Sequence, residues 1–549
     1  MALRLDRRQL LIAGGLGAGA LIADGPAFAM LSARGFTHGV ASGEPGPDHI
    51  LLWTRYVEHS GRPVRLIAEI SDSPEFTRLV AGADAMVDLR RDHTTRVSIS
   101  GLEPGRTYYY RFIAPDGTRS VTGRTKTLPV GPVQRFGLGV FSCAAMTFGW
   151  FNAYAHAARR SDIDLMVHVG DYIYEYPRDS TYQRQLNQWA EAHQRMLQLE
   201  PAGETVSYAD YCLRYAAHRL DPDLQELHRL FPMIAQWDDH EIANDAWRDG
   251  AENHRPEHGS YSERKAAAVR AYRDWMPVGD ADWSSYEVGD LATLFRLETR
   301  LTARTAPLDV RSVLGAGKEG LAERLKAFRN GALDDPSHTI LGAEQEDWLY
   351  SGMRRSVDRG ARWQILSQQV NMGRIAMPRS ALDHIPAGVS GASSIRAEIQ
   401  LSEAGMPAML DNWGGVPAAR ARLLRAAQTT DSDLVVLAGD SHNAWAFDLG
   451  QDGQAAGVEF GTTSVTSLGY DAKLRSNPEM LEREIVRASP ELRWTNIRNR
   501  GYMAIAIKPD TITGEWVLLD TVHHRTTDHW QSRHMSVHRG DRVFGPDSD

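Results

Sequence analysis

The sequence predicts an α/β protein in which a small all-β region precedes a larger domain of alternating strands and helices. Between residues 35 and 128, β-rich runs such as HILLWTRYV and TYYYRFIA are separated by the turn segments EPGPD, LEPGR and APDGT, as in an all-β sandwich. From about residue 135, continuous apolar runs such as DLMVHVGD and LVVLAGDSH alternate with amphipathic stretches. Continuous apolar strands that alternate with helices indicate a sheet covered on both faces.

These patterns divide the 549 residues into four parts. In chain order they are a leader at 1–29, a β-sandwich domain at 35–128, an α/β domain at 135–530 and a C-terminal tail at 531–549. The tail is rich in histidine, and because chain ends are usually mobile we expect a solvated segment there. Two stretches rich in Gly, Pro and Ser, 304–340 and 376–415, are too long for plain connections, so we expect them to fold over the functional site.

The leader has the three parts of an export signal. Arg7 and Arg8 precede an apolar run rich in Gly and Ala, which ends at Ala27-Phe28-Ala29. The paired arginines favour a twin-arginine signal, whose export machinery carries folded proteins, over an ordinary secretory signal. No later stretch has the roughly 18 apolar residues that a membrane span requires. The sequence therefore predicts a periplasmic or secreted protein without a stable membrane span.

Composition excludes several classes of protein. With 42% hydrophobic and 24% charged residues, the chain resembles an ordinary globular protein. Its formal charge of −9 argues against nucleic acid as the main partner, because phosphate backbones require a basic surface. The two cysteines, Cys143 and Cys212, are too few for a disulfide framework. Individual arginines remain available for a small anionic substrate.

Four predicted strands end in side chains that can bind metal ions. In α/β proteins, ligands collect beyond the carboxyl ends of the strands. The strand-end residues are Ser142 and Cys143, Gly170 and Asp171 with Tyr174, the run Asp238-Asp239-His240-Glu241, and the run Gly439-Asp440-Ser441-His442. One polar residue after a strand is usually a turn or a cap. A thiol, a phenol and imidazoles at several strand ends indicate chemistry instead.

The donor types suggest two kinds of ion. Thiol, phenol and imidazole suit a Lewis-acidic transition metal, whereas carboxylates suit a hard divalent ion such as calcium. Because a free phenol has a pKa of ~10, a trivalent cation is best able to displace its proton, which indicates Fe(III) near Tyr174. Asp171, three residues earlier, is placed to bridge that iron to a second ion.

The motif order Cys, G-D-x-x-Y, D-D-H-E and G-D-x-H resembles the PhoD-type alkaline phosphatases of the metallophosphoesterase superfamily. Other segments carry the same resemblance, namely HGVASGEPGPDHILLWTR, FSCAAM, VHVGDYIYEY, LSQQVNM, AGDSHNAW and VEFGTTSVTS. The resemblance implies an αββα sandwich preceded by a fibronectin- or immunoglobulin-like β domain. It also implies an exported, metal-dependent alkaline phosphatase that releases phosphate from small-molecule phosphate monoesters, with diesters as a further possibility.

The resemblance also implies a role for each strand-end residue. Fe3+ would be bound by Cys143, Asp171, Tyr174 and His442, and Ca2+ by Asp171, Asp239 and Asp440, with Asp238 as an alternative or additional ligand. Asp239 stands where the superfamily's usual G-N-H-E motif has Asn, and its added negative charge favours a hard cation. His240 would face the substrate and either stabilise the transition state or protonate the leaving group, beside the catalytic Asp171. Asn244 would position phosphate or cap a helix.

Two other functions remain open at this point. One is a phosphodiesterase or phospholipase D-like hydrolase, which the same scaffold can support. The other is a non-catalytic binding protein, which gives no reason for Cys143 and Tyr174 to accompany acidic strand ends.

Several neighbouring residues are expected to be structural. Arg296, Arg300 and Arg304 could contact phosphate, but their spacing of four residues better suits one helix face or ion pairs at a strand end. LEPGRTYYYRF resembles a tyrosine-corner segment, so Tyr108–Tyr110 are expected to support the β domain. Glu241 is expected to orient His240 or to cap a helix.

Overall fold

The structure is a computed structural model that describes residues 33–59, 61–180, 190–317, 319–385, 392–473, 477–528 and 530–546. The predicted leader at 1–29 lies outside these described residues. None of the described helices combines the length and apolar character that a membrane crossing needs.

The described residues form twenty strands and eleven α-helices. The strands are β1 (Gly35–Gly43), β2 (His49–Val57), β3 (Val64–Ser71), β4 (Leu79–Val87), β5 (Thr94–Ser100), β6 (Thr107–Ile113), β7 (Gly123–Lys126), β8 (Phe136–Phe141), β9 (Leu165–His168), β10 (Pro232–Ala235), β11 (Ser284–Val288), β12 (Ala292–Arg296), β13 (Trp363–Ser367), β14 (Leu434–Ala438), β15 (Ala444–Gln451), β16 (Gln454–Gly461), β17 (Leu492–Asn496), β18 (Arg500–Ile507), β19 (Thr511–Leu519) and β20 (Trp530–His538). The helices are α1 (Asn152–Ala157), α2 (Ala190–Leu197), α3 (Tyr208–Arg219), α4 (Pro222–Leu230), α5 (Tyr261–Trp275), α6 (Val310–Gly315), α7 (Leu321–Phe328), α8 (Gly342–Asp358), α9 (Ala392–Glu403), α10 (Pro417–Thr429) and α11 (Pro478–Ala488).

Two large sheets face each other across an apolar core. The first has the strand order β20-β19-β18-β8-β9-β10-β1-β2-β5, and the second β11-β12-β13-β14-β16-β15-β17. Val140 and Val167 of the first sheet belong to the same buried cluster as Ile365 and Val435 of the second. The short parallel strands β8, β9, β10, β13 and β14 are buried along their whole length, as continuous apolar runs predict.

Helices cover the outer faces of both sheets. Apolar residues of α1, α3, α4 and α5 share a buried cluster with the first sheet, among them Tyr215 and Trp275. Residues of α8, α10 and α11 share another with the second sheet, among them Leu349 and Leu423. The predicted α/β class is therefore confirmed, with each sheet packed on the other by one face and on helices by its opposite face.

The seven N-terminal strands are divided between two sheets. A four-stranded sheet has the order β4-β3-β6-β7, while β1, β2 and β5 continue the first large sheet through parallel pairing of β1 with β10. A buried cluster that includes Leu52 and Leu66 joins these two layers. As expected of a tyrosine corner, the hydroxyl of buried Tyr108 accepts a hydrogen bond from the backbone N–H of Glu103 at 2.9 Å.

The prediction of a solvated tail after residue 530 is wrong for the first half of that segment. The strand β20 pairs antiparallel with β19 along its whole length and forms an edge of the first large sheet. Met535 and Val537 are buried, and Phe544 beyond the strand is buried in the same cluster. The sequence does not indicate this strand because the four residues between Trp530 and Met535 are polar and largely exposed.

The two long stretches predicted to fold over the site pack against each other. Leu325 and Phe328 from the first share an apolar cluster with Leu401 and Met406 from the second. Each stretch contains short helices, α6 and α7 in the first and α9 in the second. These stretches therefore form one folded unit beside the carboxyl ends of the central strands, to which Asp411 connects them as described below.

Candidate metal centre

Four of the predicted metal ligands occupy an unusual backbone conformation. Cys143, Asp171, Asp440 and His442 have φ values of 60°, 57°, 63° and 62°. Few residues other than glycine adopt positive φ, and such strain is characteristic of functional sites that the surrounding fold holds in place. Each residue lies just beyond the end of β8, β9 or β14. The strand ends thus turn their side chains sharply into one shared space.

Glycines allow these strand ends to approach one another. A Cβ atom on Gly170 would lie 2.4 Å from the Cβ of Asp238, and one on Gly439 would lie 2.2 Å from the Oγ of Ser142. Real Cβ atoms do not come so close to other heavy atoms. Gly170 and Gly439 are therefore required for the close packing of the metal-ligand loops.

The structure brings all the sequence-predicted metal ligands together. Three overlapping groups each place their ligand atoms within 4.8 Å of one another, namely Cys143, Asp171 and His442; Asp171, Asp239 and His240; and Asp238, Asp239 and Asp440. The hydroxyl of Tyr174 joins the first group, donating to Asp171 Oδ2 at 2.9 Å and lying 3.2 Å from His442 Nε2. Asp171 and Asp239 link the groups into one continuous centre.

Several oxygens in this centre lack the partners that buried polar atoms normally have. Asp171 Oδ1, Asp238 Oδ2 and Asp239 Oδ1 are buried without a hydrogen-bond partner among the described residues. An unpartnered buried carboxylate oxygen is costly, and a bound cation removes that cost. The donor set, with its thiol, phenol, imidazole and carboxylates, therefore fits both a Lewis-acidic transition-metal ion and a hard divalent ion.

Proton affinities in the centre are strongly perturbed. Burial, followed by the nearby Asp239 and Asp238 carboxylates, raises the pKa of Asp171 well above its ordinary value despite the opposing charge of His240. Burial and then the charge of Asp171 likewise raise the pKa of Cys143. Both shifts favour the protonated forms, so the anionic forms that bind metal need positive charge beside them, which is what metal ions provide.

The thiol and phenol side of the centre is held by neutral hydrogen bonds. Ser467 Oγ donates to the Tyr174 hydroxyl at 2.7 Å. His442 Nδ1 lies 2.7 Å from the carbonyl oxygen of Leu468, which can only accept, so Nδ1 carries the proton. Burial lowers the pKa of His442 to about 3. The imidazole is therefore neutral, with its Nε2 lone pair directed to the ligand group.

Glu241 neither orients His240 nor caps a helix, which are the two roles predicted for it. Its carboxylate accepts backbone N–H groups from Asp171 at 3.1 Å, Tyr172 at 2.6 Å and Asp238 at 2.8 Å. It therefore ties the second and third strand-end loops together. No helix begins at Glu241 in the described residues, so a capping role is excluded.

The carboxylate that orients His240 is Glu175, which the sequence analysis missed. Glu175 Oε2 lies 2.7 Å from His240 Nδ1, and Oε1 accepts the backbone N–H of Asn244 at 2.8 Å. Burial favours neutral His240, but the charges of Asp239, Glu175 and Asp171 outweigh it and raise the pKa of His240. The only sequence signal was an acid directly after Tyr174 in the same loop.

Asn244 lies beside this pair with its side-chain amide engaged. Its Oδ1 accepts from the Tyr176 hydroxyl at 2.9 Å, and its Nδ2 donates to Glu252 Oε2 at 2.8 Å. Turns, not a helix, follow it in the described residues, so the alternative of a helix cap is wrong.

Arg300 is the largest departure from the sequence analysis, which favoured a structural role for it over contact with phosphate. Its side chain is fully buried and donates to Asp238 Oδ1 at 2.5 Å, Asp440 Oδ1 at 2.9 Å and Asp411 Oδ2 at 2.5 Å. Arg304 donates to the other oxygen of Asp411 at 2.6 Å. Ion pairs at a strand end are what the structure shows, but their partners are residues of the candidate centre.

The remaining arginine of that series lies outside the centre. Arg296 donates to the carbonyl oxygen of Ala281 and to Ser284. Because β12 ends at Arg296 and no helix follows before α6 in the described residues, the helix-face alternative for the three arginines is wrong.

An α/β sandwich with buried carboxylates, a thiol, a phenol and imidazoles at its strand ends defines a metal-dependent hydrolase. Comparison with known families matches residues 138–516 to the PhoD-like phosphatases and residues 24–129 to the N-terminal domain of the PhoD-like phosphatases. The chain therefore belongs to the PhoD-like phosphatase family and is a phosphoric ester hydrolase.

Individual relatives agree with this family. Alkaline phosphatase D of Bacillus subtilis (strain 168) is 30% identical over 507 residues, covering 86% of this chain and 76% of that protein. A solved structure of PhoD superposes with a TM-score of 0.75 at 25% identity, covering 94% of this chain and 92% of the other. The likeness thus extends over nearly the whole chain.

Proposed function

We propose that this chain is an exported alkaline phosphatase that hydrolyses phosphate monoesters with Fe3+ and Ca2+ in one composite centre. The observation that carries this proposal is the position of Asp171, which belongs both to the group with Cys143 and His442 and to the group with Asp239 and His240. Similarity to alkaline phosphatase D supports the reaction.

The chemistry of the donors supports the division between the two metals. Fe3+ would be held by Cys143, Asp171, Tyr174 and His442, and Ca2+ by Asp171, Asp239 and Asp440. Asp238 is an additional ligand in this proposal, because its Oδ2 is buried without a partner among the described residues while Arg300 binds its Oδ1. Bound there, the metal ions would neutralise phosphoryl oxygens and align the attacking and leaving groups.

His240 and Glu175 supply the proton chemistry of the proposed reaction. Glu175 holds Nδ1 of His240, which leaves Nε2 for the substrate. Because the Glu175 carboxylate beside Nδ1 favours the protonated imidazole, His240 can stabilise the developing charge and donate a proton to the leaving oxygen. Asn244, fixed between Tyr176 and Glu252, borders the same histidine and positions the phosphate through this arrangement.

Domain organisation and export form part of the same proposal. The layering of helices, two sheets and helices supports a metallophosphoesterase-like αββα sandwich at 135–530, extended by β20, after an N-terminal β domain at 35–128. The paired arginines before an apolar run support a twin-arginine leader at 1–29 and a periplasmic or secreted location.

Two measurements test the proposal. Metal analysis of the exported protein should find iron and calcium, and phenolate and thiolate ligands to Fe3+ should give visible absorption. A colourless, iron-free protein with full activity would overturn the metal assignment. Rates on 4-nitrophenyl phosphate and bis(4-nitrophenyl) phosphate, measured side by side, should favour the monoester. The reverse preference would establish the phosphodiesterase or phospholipase D-like alternative.

A further inference from the structure

The acidic pocket formed by Asp238, Asp239 and Asp440 already contains a cation of the chain itself, the guanidinium of Arg300. This group binds one oxygen of Asp238 and one oxygen of Asp440, at 2.5 Å and 2.9 Å. It also lies 3.9 Å from Asp239 Oδ1. Neither the Arg300 nor the Asp238 side chain is exposed to solvent. Arg300 is thus an internal counter-ion placed among all three carboxylates.

The backbone that carries Arg300 is fixed independently of these contacts. The buried carboxylate of Glu298 accepts the backbone N–H groups of Arg300 at 2.8 Å, Leu301 at 2.7 Å and Thr302 at 2.8 Å. It also accepts the indole N–H of Trp237 at 2.9 Å. A buried carboxylate with this many donors over-determines the local conformation. The guanidinium is therefore delivered to one place by the fold.

Arg300 does not exhaust the ligand atoms of the pocket. Asp238 Oδ2 and Asp239 Oδ1 are buried and have no hydrogen-bond partner among the described residues. Three carboxylates this close repel one another, and one fixed positive charge offsets only part of that repulsion. The pocket therefore has both the oxygens and the residual negative charge to take a divalent cation beside the guanidinium.

We propose that Arg300 is a positioning residue that preforms the acidic pocket before a divalent cation binds. By holding one oxygen of Asp238 and one of Asp440, it keeps these carboxylates close together in the cation-free protein and leaves Asp238 Oδ2 and Asp239 Oδ1 for the cation. This inference rests on the proposed function, because it takes these carboxylates as ligands of Ca2+.

The test compares unfolding midpoints of the full chain in EGTA and in saturating calcium chloride. The variants are Arg300→Gln, Arg300→Lys and, as matched control, Arg304→Gln. Arg304 is also a buried arginine bound to Asp411, but its hydrogen bonds go to Asp411 and Thr299 rather than to Asp238 or Asp440. Both arginines thus share one partner, and the comparison isolates the contacts to the acidic pocket.

Without Arg300 the crowded carboxylates must rely on calcium. We expect Arg300→Gln to lower the midpoint in EGTA by about 5 °C or more, and calcium to restore at least half of that loss. Arg300→Lys keeps the positive charge but lacks the planar guanidinium that binds two carboxylates at once. Its midpoint in EGTA should therefore lie between those of Arg300→Gln and the wild type. The Arg304→Gln midpoint should drop equally in both media.

Each contrary result has a distinct meaning. If Arg300→Gln lowers the unfolding midpoint equally in both media, or in neither, the inference is overturned. The proposed metal chemistry still stands in that case, provided that calcium raises the midpoint of the wild type. A wild-type midpoint that does not respond to calcium would instead overturn the calcium assignment and this inference with it. If Arg300→Gln yields no folded protein, Arg300→Lys decides by the same comparison of the two media.

Discussion

The two halves of the candidate centre balance charge in different ways. Around Cys143, Tyr174 and His442, neutral groups satisfy one another: the thiol lies 2.7 Å from the Ser142 hydroxyl, and the phenol and imidazole are bonded to the adjoining 467–468 loop. Around Asp238, Asp239 and Asp440 the groups are anionic, and the arginine at 300 is the cation bound to them.

This difference shows how one site can hold two chemically distinct ions. The neutral half keeps its geometry through hydrogen bonds and needs a strongly Lewis-acidic ion to displace the protons of thiol and phenol. The acidic half needs only positive charge of the right size and takes a hard cation. Asp171 is common to both, so a substitution there should affect both metal ions, whereas a substitution within one half should affect only the ion of that half.

The largest effect is expected for Asp171→Asn. The substitution keeps the shape of the side chain but removes the charge that both halves share, so metal content and activity should fall together, with kcat/KM reduced by about 10³-fold or more. Metal analysis and steady-state kinetics on the purified variant measure both quantities.

Tyr108→Phe is the control for Asp171→Asn. It removes a buried hydroxyl that accepts a hydrogen bond from the backbone N–H of Glu103 within the β domain, and should lower the unfolding midpoint with little change in metal content. Full activity of Asp171→Asn would place the active site elsewhere.

A smaller, one-sided effect is expected for Tyr174→Phe. Loss of the phenol removes a ligand from the iron half only, so visible absorption should weaken or shift and activity should fall by roughly 10- to 100-fold. Calcium content should stay near that of the wild type, because Asp239 and Asp440 are untouched.

Tyr172→Phe is the matched control for Tyr174→Phe. Tyr172 lies in the same loop, but its hydroxyl is 2.9 Å from His228 Nε2 rather than from a residue of the centre. An unchanged absorption spectrum in Tyr174→Phe, or an equal change in Tyr172→Phe, would show that the phenol of Tyr174 does not bind iron.

The same contrast explains which parts of the centre sequence analysis could predict. Cys143, Tyr174 and His442 follow strand ends closely, as does the shared Asp171, so the apolar runs located them and the unusual chemistry of the first three singled them out. Neutral ligands of this kind have few structural reasons to occur together. For that half, local sequence carried nearly all the information.

Charge compensation could not be predicted in this way. The ion pair between Arg300 and Asp411 joins residues 111 positions apart, and nothing near either residue in the sequence indicates the other. Glu175 rather than Glu241 orients His240 for a similar reason, since which acid reaches His240 depends on how two loops face each other. The β20 strand was missed because its exposed half reads as a polar tail.

The smallest of these effects concerns His240, which adjoins both halves through Asp171 and Asp239. In Glu175→Gln the amide oxygen can still accept the hydrogen bond from the backbone N–H of Asn244. The amide NH2 group then faces His240 Nδ1 in place of a carboxylate oxygen. Burial already favours neutral His240, and Glu175 is one of the three charges that overcome it, so the pKa of His240 should fall.

Because the protonated imidazole is the active form in the proposed reaction, activity should then be lost at lower pH than in the wild type. The alkaline limb of the kcat profile should move down by about one pH unit, which costs roughly tenfold in kcat on that limb. Glu252→Gln is the matched control, since within the described residues Glu252 contacts Asn244 from its other side and Arg311, and makes no hydrogen bond to His240. A uniform loss of kcat across pH in Glu175→Gln, without movement of the limb, would mean that Glu175 supports the loop and does not set the protonation of His240.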